Sequence, residues 1–254
     1  MISITKSQIQ TLKLGQNDNL SKMHPGAPVN VLGVAGSMRK GYYSTHALRL
    51  VLEDAKKYGA GSQLLELREV RLSIYDPSRS VPEELYQDVN GNRENVLNTV
   101  TKAIKWADAF VLASPDYHGS MSGAIKNFLG YFWEEFAGKT FGYVIASHEK
   151  GLTVADQMRT SVRQCYGWSM PYNISINGAN DFNSAGNPIN SILANRIKML
   201  ARDLVTYGTL IRRQFCRMSC TKKYQIATLL TIGNIITNFI QFFNKTSILK
   251  VKLL

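Results

Sequence analysis

Residues 29–35 (VNVLGVA) form a short, β-branched apolar run ending at Gly36, the pattern of a strand buried on both faces of a parallel sheet. The period then changes. Ala47, Leu48, Val51, Leu52 and Ala55 recur at helical spacing, with Ser44 placed to cap the N-terminus and Gly59 to end the helix. The alternation continues through strand 63–70, helix 92–106, strand 109–113, helix 122–133, strand 140–146, helix 154–166, strand 172–176 and helix 191–207. Strands alternating with crossover-length helices predict an α/β fold built on a doubly wound parallel sheet. Chemistry is then to be sought in the loops at the carboxyl ends of strands one, three and four.

Both ends of the chain depart from this rhythm. Residues 1–28 are polar, contain no apolar run of signal-peptide length, and read as a disordered leader; with only Asp18 acidic there, a transit peptide stays open. Residues 224–244 are uncharged between Lys223 and Lys245, close to the ~20 residues needed to cross a bilayer. Polar side chains from Gln225 to Asn244 recur about every third position, however, and would spiral around a helix. That spiral leaves neither a lipid-compatible surface nor an apolar stripe. A loose extension, a helix packed on the body or a partner, and membrane contact all remain open for this segment. The expected organisation is a leader (1–28), one α/β domain (29–215) and a basic, apolar C-terminal extension (216–254).

Composition sharpens this picture in two places. The 254 residues, 44% hydrophobic and 19% charged, suit a compact fold. The net charge of +12 invites a nucleic-acid reading, but residues 29–203 hold 19 basic and 17 acidic side chains. From residue 204 onward eight Lys and Arg, beginning with Arg212 and Arg213, stand without a single acid. The basicity belongs to the ends, and no base-reading or stacking module accompanies it, so no nucleic-acid partner is expected. Cys165, Cys216 and Cys220 are odd in number and follow no signal peptide, which favours free thiols in a reducing cytoplasm. Cys216 and Cys220 lack a second ligand pair, so no metal site is expected.

Two loops carry the candidate chemistry. Residues 36–45 (GSMRKGYYST) join the first strand to the first helix, where unsatisfied N–H groups and the helix dipole favour an anion. Ser37, Ser44 and Thr45 add hydroxyls, and Arg39 adds charge-assisted bonding, a set suited to a phosphate monoester. The dinucleotide fingerprint is absent, since glycines fall at 33, 36 and 41. The P-loop is absent as well, since Tyr42 and Tyr43 follow the last glycine. Taken alone, this loop reads equally well as a hydroxyl-rich strand-to-helix turn. Residues 114–127 (SPDYHGSMSGAIKN) follow the third strand, and their proline and glycines permit close approach of backbone to a flat ligand.

The pair of loops resembles the NAD(P)H-dependent FMN reductase family, from about residue 29 to 213. The resemblance implies a flavodoxin-like, five-stranded sheet of order 2-1-3-4-5 with helices on both faces. It further implies that Ser37, Arg39, Ser44 and Thr45 hold the phosphate of a bound FMN. Pro115, Asp116, Tyr117, His118, Gly119 and Ser120 would line its ribityl chain and isoalloxazine ring. Tyr42 stands where the family often has serine. Ser147 and Gly151 bound a loop (SHEKG) where many relatives have a glycine-rich turn, and are assigned flavin contacts on that ground. The implied activity is hydride transfer from NAD(P)H, through FMN, to a small acceptor such as a flavin, quinone, azo or nitro compound or metal oxyanion. A homodimer or homotetramer is implied too, and no side chain is required as a catalytic acid, base or nucleophile. A flavodoxin-type electron carrier and a non-catalytic flavin-binding protein are the competing readings. His118 and His148 have ordinary readings as loop and surface residues, Trp106, Trp133 and Trp168 as helix-packing residues, and Lys126 and Asn127 as braces.

Overall fold

The computed structural model describes residues 27–70, 72–78 and 96–216. The chain divides into two compact units, Met1–Arg212 and Arg213–Leu254. In the first unit, strands β1 (Asn30–Ala35), β2 (Gly61–Glu66), β3 (Ala109–Pro115), β4 (Thr140–Ala146), β5 (Trp168–Ser169) and β6 (Ile174–Ile176) make one parallel sheet. The order is β2-β1-β3-β4-β5, with β6 also paired to β4. Between the strands run helices α1 (Tyr43–Lys57), α2 (Val96–Trp106), α3 (Gly123–Tyr131) and α4 (Leu152–Gln164). A last helix, α5, covers 191–216, and 213–216 are the only described residues of the second unit.

The two-residue period of the strands sorts their side chains into two cores. Val31, Ala35, Ala109, Val111, Ala113, Val144 and Ala146 face α1 and α5, whose Leu48, Val51, Ile197, Leu200 and Leu204 cover them. Leu32, Val34, Phe110, Leu112, Phe141, Tyr143 and Ile145 face α2, α3 and α4. The first face is lined by small residues so that helices come close: a Cβ on Gly33 would lie 2.7 Å from Leu52, and one on Gly142 2.8 Å from Leu200. The second face is filled by rings, with Phe110 stacked on Phe141 at 4.7 Å and Phe136 edge-on to both. Each such buried side chain contributes about 1.5–3 kcal/mol of transfer free energy.

The expected helices on both faces and the 2-1-3-4-5 order are both present. Gly59 ends α1 as expected, at φ 85°, with Ala60 N donating to Ala55 O and Gly59 N to Lys56 O, a Schellman closure. Three local expectations need correction. Ser44 does not cap α1: the helix begins at Tyr43, and the capping position, Tyr42, offers no side-chain acceptor. Trp133 and Trp168 are exposed rather than packed. The fifth strand is two pieces, because residues 170–173 stand opposite only Gly142 and Tyr143, and Pro171 has no N–H to give the ladder.

Arg212, the first cation of the chain's basic end, is built into the fold. Its guanidinium pairs with Asp108 at 2.9 Å, both side chains mostly buried, and donates to the carbonyls of Pro28 and Ala27. Asp108 also accepts from Asn30 N at 2.9 Å, so this cation ties α5 to the entries of β1 and β3. The leader up to residue 26 and the extension from 217, including residues 224–244, lie outside the described residues. Among the described residues no helix is long and apolar enough to cross a membrane.

Candidate functional site

Adjacent strands β1 and β3, in register from Val31 and Ala109 to Ala35 and Ala113, release their loops side by side at the carboxyl edge. A staple of two serines joins those loops. Ser122, the N-cap of α3, donates its hydroxyl to Gly36 O at 2.8 Å and accepts from Ile125 N. Its own N–H goes to Ser114 Oγ at 2.9 Å. Gly36 is a glycine because nothing larger fits: a Cβ there would lie 2.2 Å from Ile125 Cγ1.

In the first loop, Ser37 is buried and its Oγ accepts from Arg39 N at 3.2 Å, while Arg39 is exposed with its guanidinium 5.7 Å from the Tyr42 ring. Gly41 turns the chain at φ 64° into α1. Without a capping side chain at Tyr42, the first-turn N–H groups of α1 have no intrahelical acceptor. Ser44 and Thr45 are buried in that same turn, and Ser44 Oγ has no hydrogen-bond partner among the described residues. An uncapped helix N-terminus and a buried orphan hydroxyl each call for an acceptor-rich group, and a phosphate meets both needs.

The second loop begins where Pro115 ends β3 beside Ala146. Tyr117 N donates to Ser120 O and Ser120 N to Tyr117 O, and between them His118 (φ 57°) and Gly119 (φ 74°) are both left-handed, giving a type I′ turn. A non-glycine residue in that region costs about 1–3 kcal/mol and is retained only where its surroundings enforce it. Asp116 supplies part of that enforcement. Its Oδ1 accepts from Gly119 N at 2.8 Å and its Oδ2 from Ser147 Oγ at 2.7 Å, so both carboxylate oxygens are committed to holding loops together. Tyr117, 41% exposed, is left facing outward.

The third loop, 147–151, follows β4. Ser147 N donates to Ile176 O, Ser147 Oγ accepts from Glu149 N, and Ser175 Oγ holds Lys150 O. Lys150 and Gly151 are left-handed in succession, at φ 65° and 60°, so one of the two left-handed positions of this turn is held by a lysine. Gly151 caps α4 against Ile145, whose Cγ2 would lie 2.4 Å from a Cβ there. His148 is at the surface, 3.0 Å from Asn177 Oδ1.

The structure thus places the twelve expected residues in three loops and the strand and helix ends that border them, and adds ones that pattern reading missed. Ser114 and Ser122 stood in the quoted motif without a role. Gln157, on α4, reaches Gly119, Ser120 and Met121, and nothing in a helical pattern distinguishes it from any solvated glutamine. Asn127 is a brace as expected, but for the segment after β2: it accepts from Tyr75 N at 2.8 Å and donates to Ser73 O at 2.7 Å. That segment and α3 wall a largely apolar cavity of about 670 Å³ that reaches Met38 in the first loop. Among the described residues no three His, Cys, Asp or Glu side chains gather as metal ligands.

The sequence model of the NADPH-dependent FMN reductases matches residues 29–181, which contain all three loops. The chain belongs to that family. Among relatives of known name, this family member is 34% identical over 99 residues to NAD(P)H:quinone oxidoreductase of Solanum tuberosum, covering 39% of this chain and 47% of that protein. The match thus spans about half the length of the potato protein. It is 25% identical over 146 residues to FMN-dependent NADPH-azoreductase of Staphylococcus saprophyticus, covering 56% and 73%. The solved structure of FerB, a flavoenzyme NAD(P)H:(acceptor) oxidoreductase from Paracoccus denitrificans, has the same fold, with TM-score 0.56 at 17% identity over 71% of this chain and 97% of that one.

Proposed function

We propose that this chain is an FMN-containing oxidoreductase that takes hydride from a nicotinamide nucleotide and delivers it to a small acceptor. One observation carries the reading beyond family membership. The uncapped start of α1, with its buried and unpartnered Ser44 hydroxyl, follows the loop that leaves β1, and Ser122 ties that loop to the one after β3 that carries the left-handed turn at 117–120, at the point where the sheet order reverses. The phosphate of FMN would be held by the first-turn N–H groups with Ser37, Ser44 and Thr45, and neutralised by Arg39. Pro115 to Ser120 would border the ribityl chain and ring. Bound FMN supplies the hydride-accepting and hydride-donating ring, so binding, orientation and electrostatics are left to the protein.

In this reading the three loops divide the labour. The first loop anchors charge, the second sets the plane against which a flat ring rests, and Ser147 to Gly151 close the far side through the Asp116 bridge. The acceptor belongs to the classes reduced by such flavin sites: flavins, quinones, azo or nitro compounds, or metal oxyanions. Assembly as a homodimer or homotetramer and residence in the cytoplasm complete the proposal.

The test is to purify the chain, record its visible spectrum and follow bleaching under anaerobic conditions on adding NADPH or NADH. A flavin spectrum that bleaches and recovers on adding quinone is expected. Arg39→Ala should lower FMN occupancy, and full occupancy in that variant would remove the phosphate assignment.

A further inference from the structure

We propose that Gln157, which belongs to none of the three loops, is the positioning residue that fixes the 117–120 turn in the orientation that receives the flavin ring. This rests on the FMN reading above. The turn is closed by its own two bonds between Tyr117 and Ser120 and by the Asp116 bond to Gly119 N. All three are local, so the turn could tilt about its stem as a unit without breaking any of them. The contacts from Gln157 prevent this. Its Oε1 accepts from Ser120 Oγ at 2.8 Å and from Met121 N at 3.3 Å, and its Nε2 donates to Gly119 O at 3.2 Å.

The chemistry of the amide is specific. Met121 N can only donate and Gly119 O can only accept, so the side chain must offer one acceptor and one donor from the same planar group. A carboxylate would face Gly119 O with a like-signed oxygen, and an apolar group would satisfy nothing. The helix that carries Gln157 is itself immobilised, since Val154, Ala155 and Met158 are fully buried against the sheet. Thr153, one turn earlier, lies 3.6 Å from where a Cβ on Gly119 would stand. The turn is therefore referenced to the rigid core through α4, and Asp116 with Ser147 references its stem to the third loop.

The experiment uses the full chain freed of flavin, with Gln157→Leu and Gln157→Glu variants. Dissociation constants are measured for riboflavin and for FMN, and inorganic phosphate is titrated as a competitor of FMN. Gln157→Leu is expected to weaken riboflavin and FMN about tenfold, because the receptive orientation falls to about a tenth of the population. Phosphate, which needs only the first loop, should compete unchanged within about twofold. Gln157→Glu, which keeps both accepting contacts, should fall between wild type and Gln157→Leu. Unchanged flavin affinity in Gln157→Leu overturns the proposal, as does parallel weakening of phosphate and flavin, which would mean a general loss of structure. A wild-type chain that binds no flavin at all would instead strike the FMN reading, and would take this proposal with it.

Discussion

Replacing Gly36 with alanine adds one methyl group at the junction of the two principal loops. The added Cβ would lie 2.2 Å from Ile125 Cγ1, 2.8 Å from Ser122 Oγ and 2.9 Å from Ile125 Cδ1. Carbon atoms in contact prefer about 3.5–4.0 Å, so the nearest pair must separate by more than an ångström. Ile125 cannot swing aside, because it is fully buried in the second core. The first loop must lift away from α3, stretching the Ser122 bond to Gly36 O. Overpacking of this kind costs about 1–3 kcal/mol, and the upper end is expected here. For a unit of this size 1 kcal/mol moves Tm by about 2–4 °C, so thermal melts should show a fall approaching about 10 °C. Ile125→Ala removes the two clashing carbons and by itself costs about 2–5 kcal/mol. In the double variant the two costs should sum to at least about 1 kcal/mol less than additivity requires. A Gly36→Ala protein within about 0.5 kcal/mol of wild type, or additive costs in urea unfolding, would refute the claimed contact between loop and helix.

Lys139 is largely buried, donates to Ile104 O at 2.7 Å and lies over the Phe110 ring, and burial lowers its pKa to about 8. A lowered lysine pKa means the folded state resists the proton. The penalty is full below pH 8, fades as pH rises towards the ordinary value of 10.5, and makes stability climb across that window. Lys139→Met should therefore be more stable than wild type by about 1–2 kcal/mol at pH 7, with the gap closing in urea melts at pH 10. Gly151→Ala forces a Cβ into a φ of 60° against Ile145 and should lower stability by about 2 kcal/mol or more. Asp116→Ala frees both Gly119 N and Ser147 Oγ and should weaken FMN about tenfold in a fluorescence titration, with a smaller effect on phosphate competition. Arg212→Ala removes the ion-pair partner of Asp108 and should cost about 2–4 kcal/mol in urea unfolding.

Much of the architecture was legible because the strands are apolar on both faces and the helices carry clear stripes. Ala109 to Ala113 and Thr140 to Ala146 could be read without ambiguity, and with them the loops that follow. The split at Pro171 was harder to see, since a proline next to Met170 and Tyr172 reads simply as a late strand start. At the site, residue types announced an anion loop and a flat-ligand loop, yet their bonding did not follow from spacing. Ser44 looked like a cap because serine before a helical stripe usually is one, whereas here it is an unpartnered hydroxyl inside the first turn. The bonding of the two Asp116 oxygens to Gly119 N and Ser147 Oγ could not be read from spacing either. Gln157 acts through sequence separations of 36 to 38 residues, a range at which no local pattern carries information.

The divided fifth strand bears on how copies of this chain can meet. A neighbouring molecule that tried to extend the sheet past Trp168–Ser169 and Ile174–Ile176 would find two short ladders out of step, with an imino acid between them. Edge-to-edge recruitment is thereby discouraged on that flank.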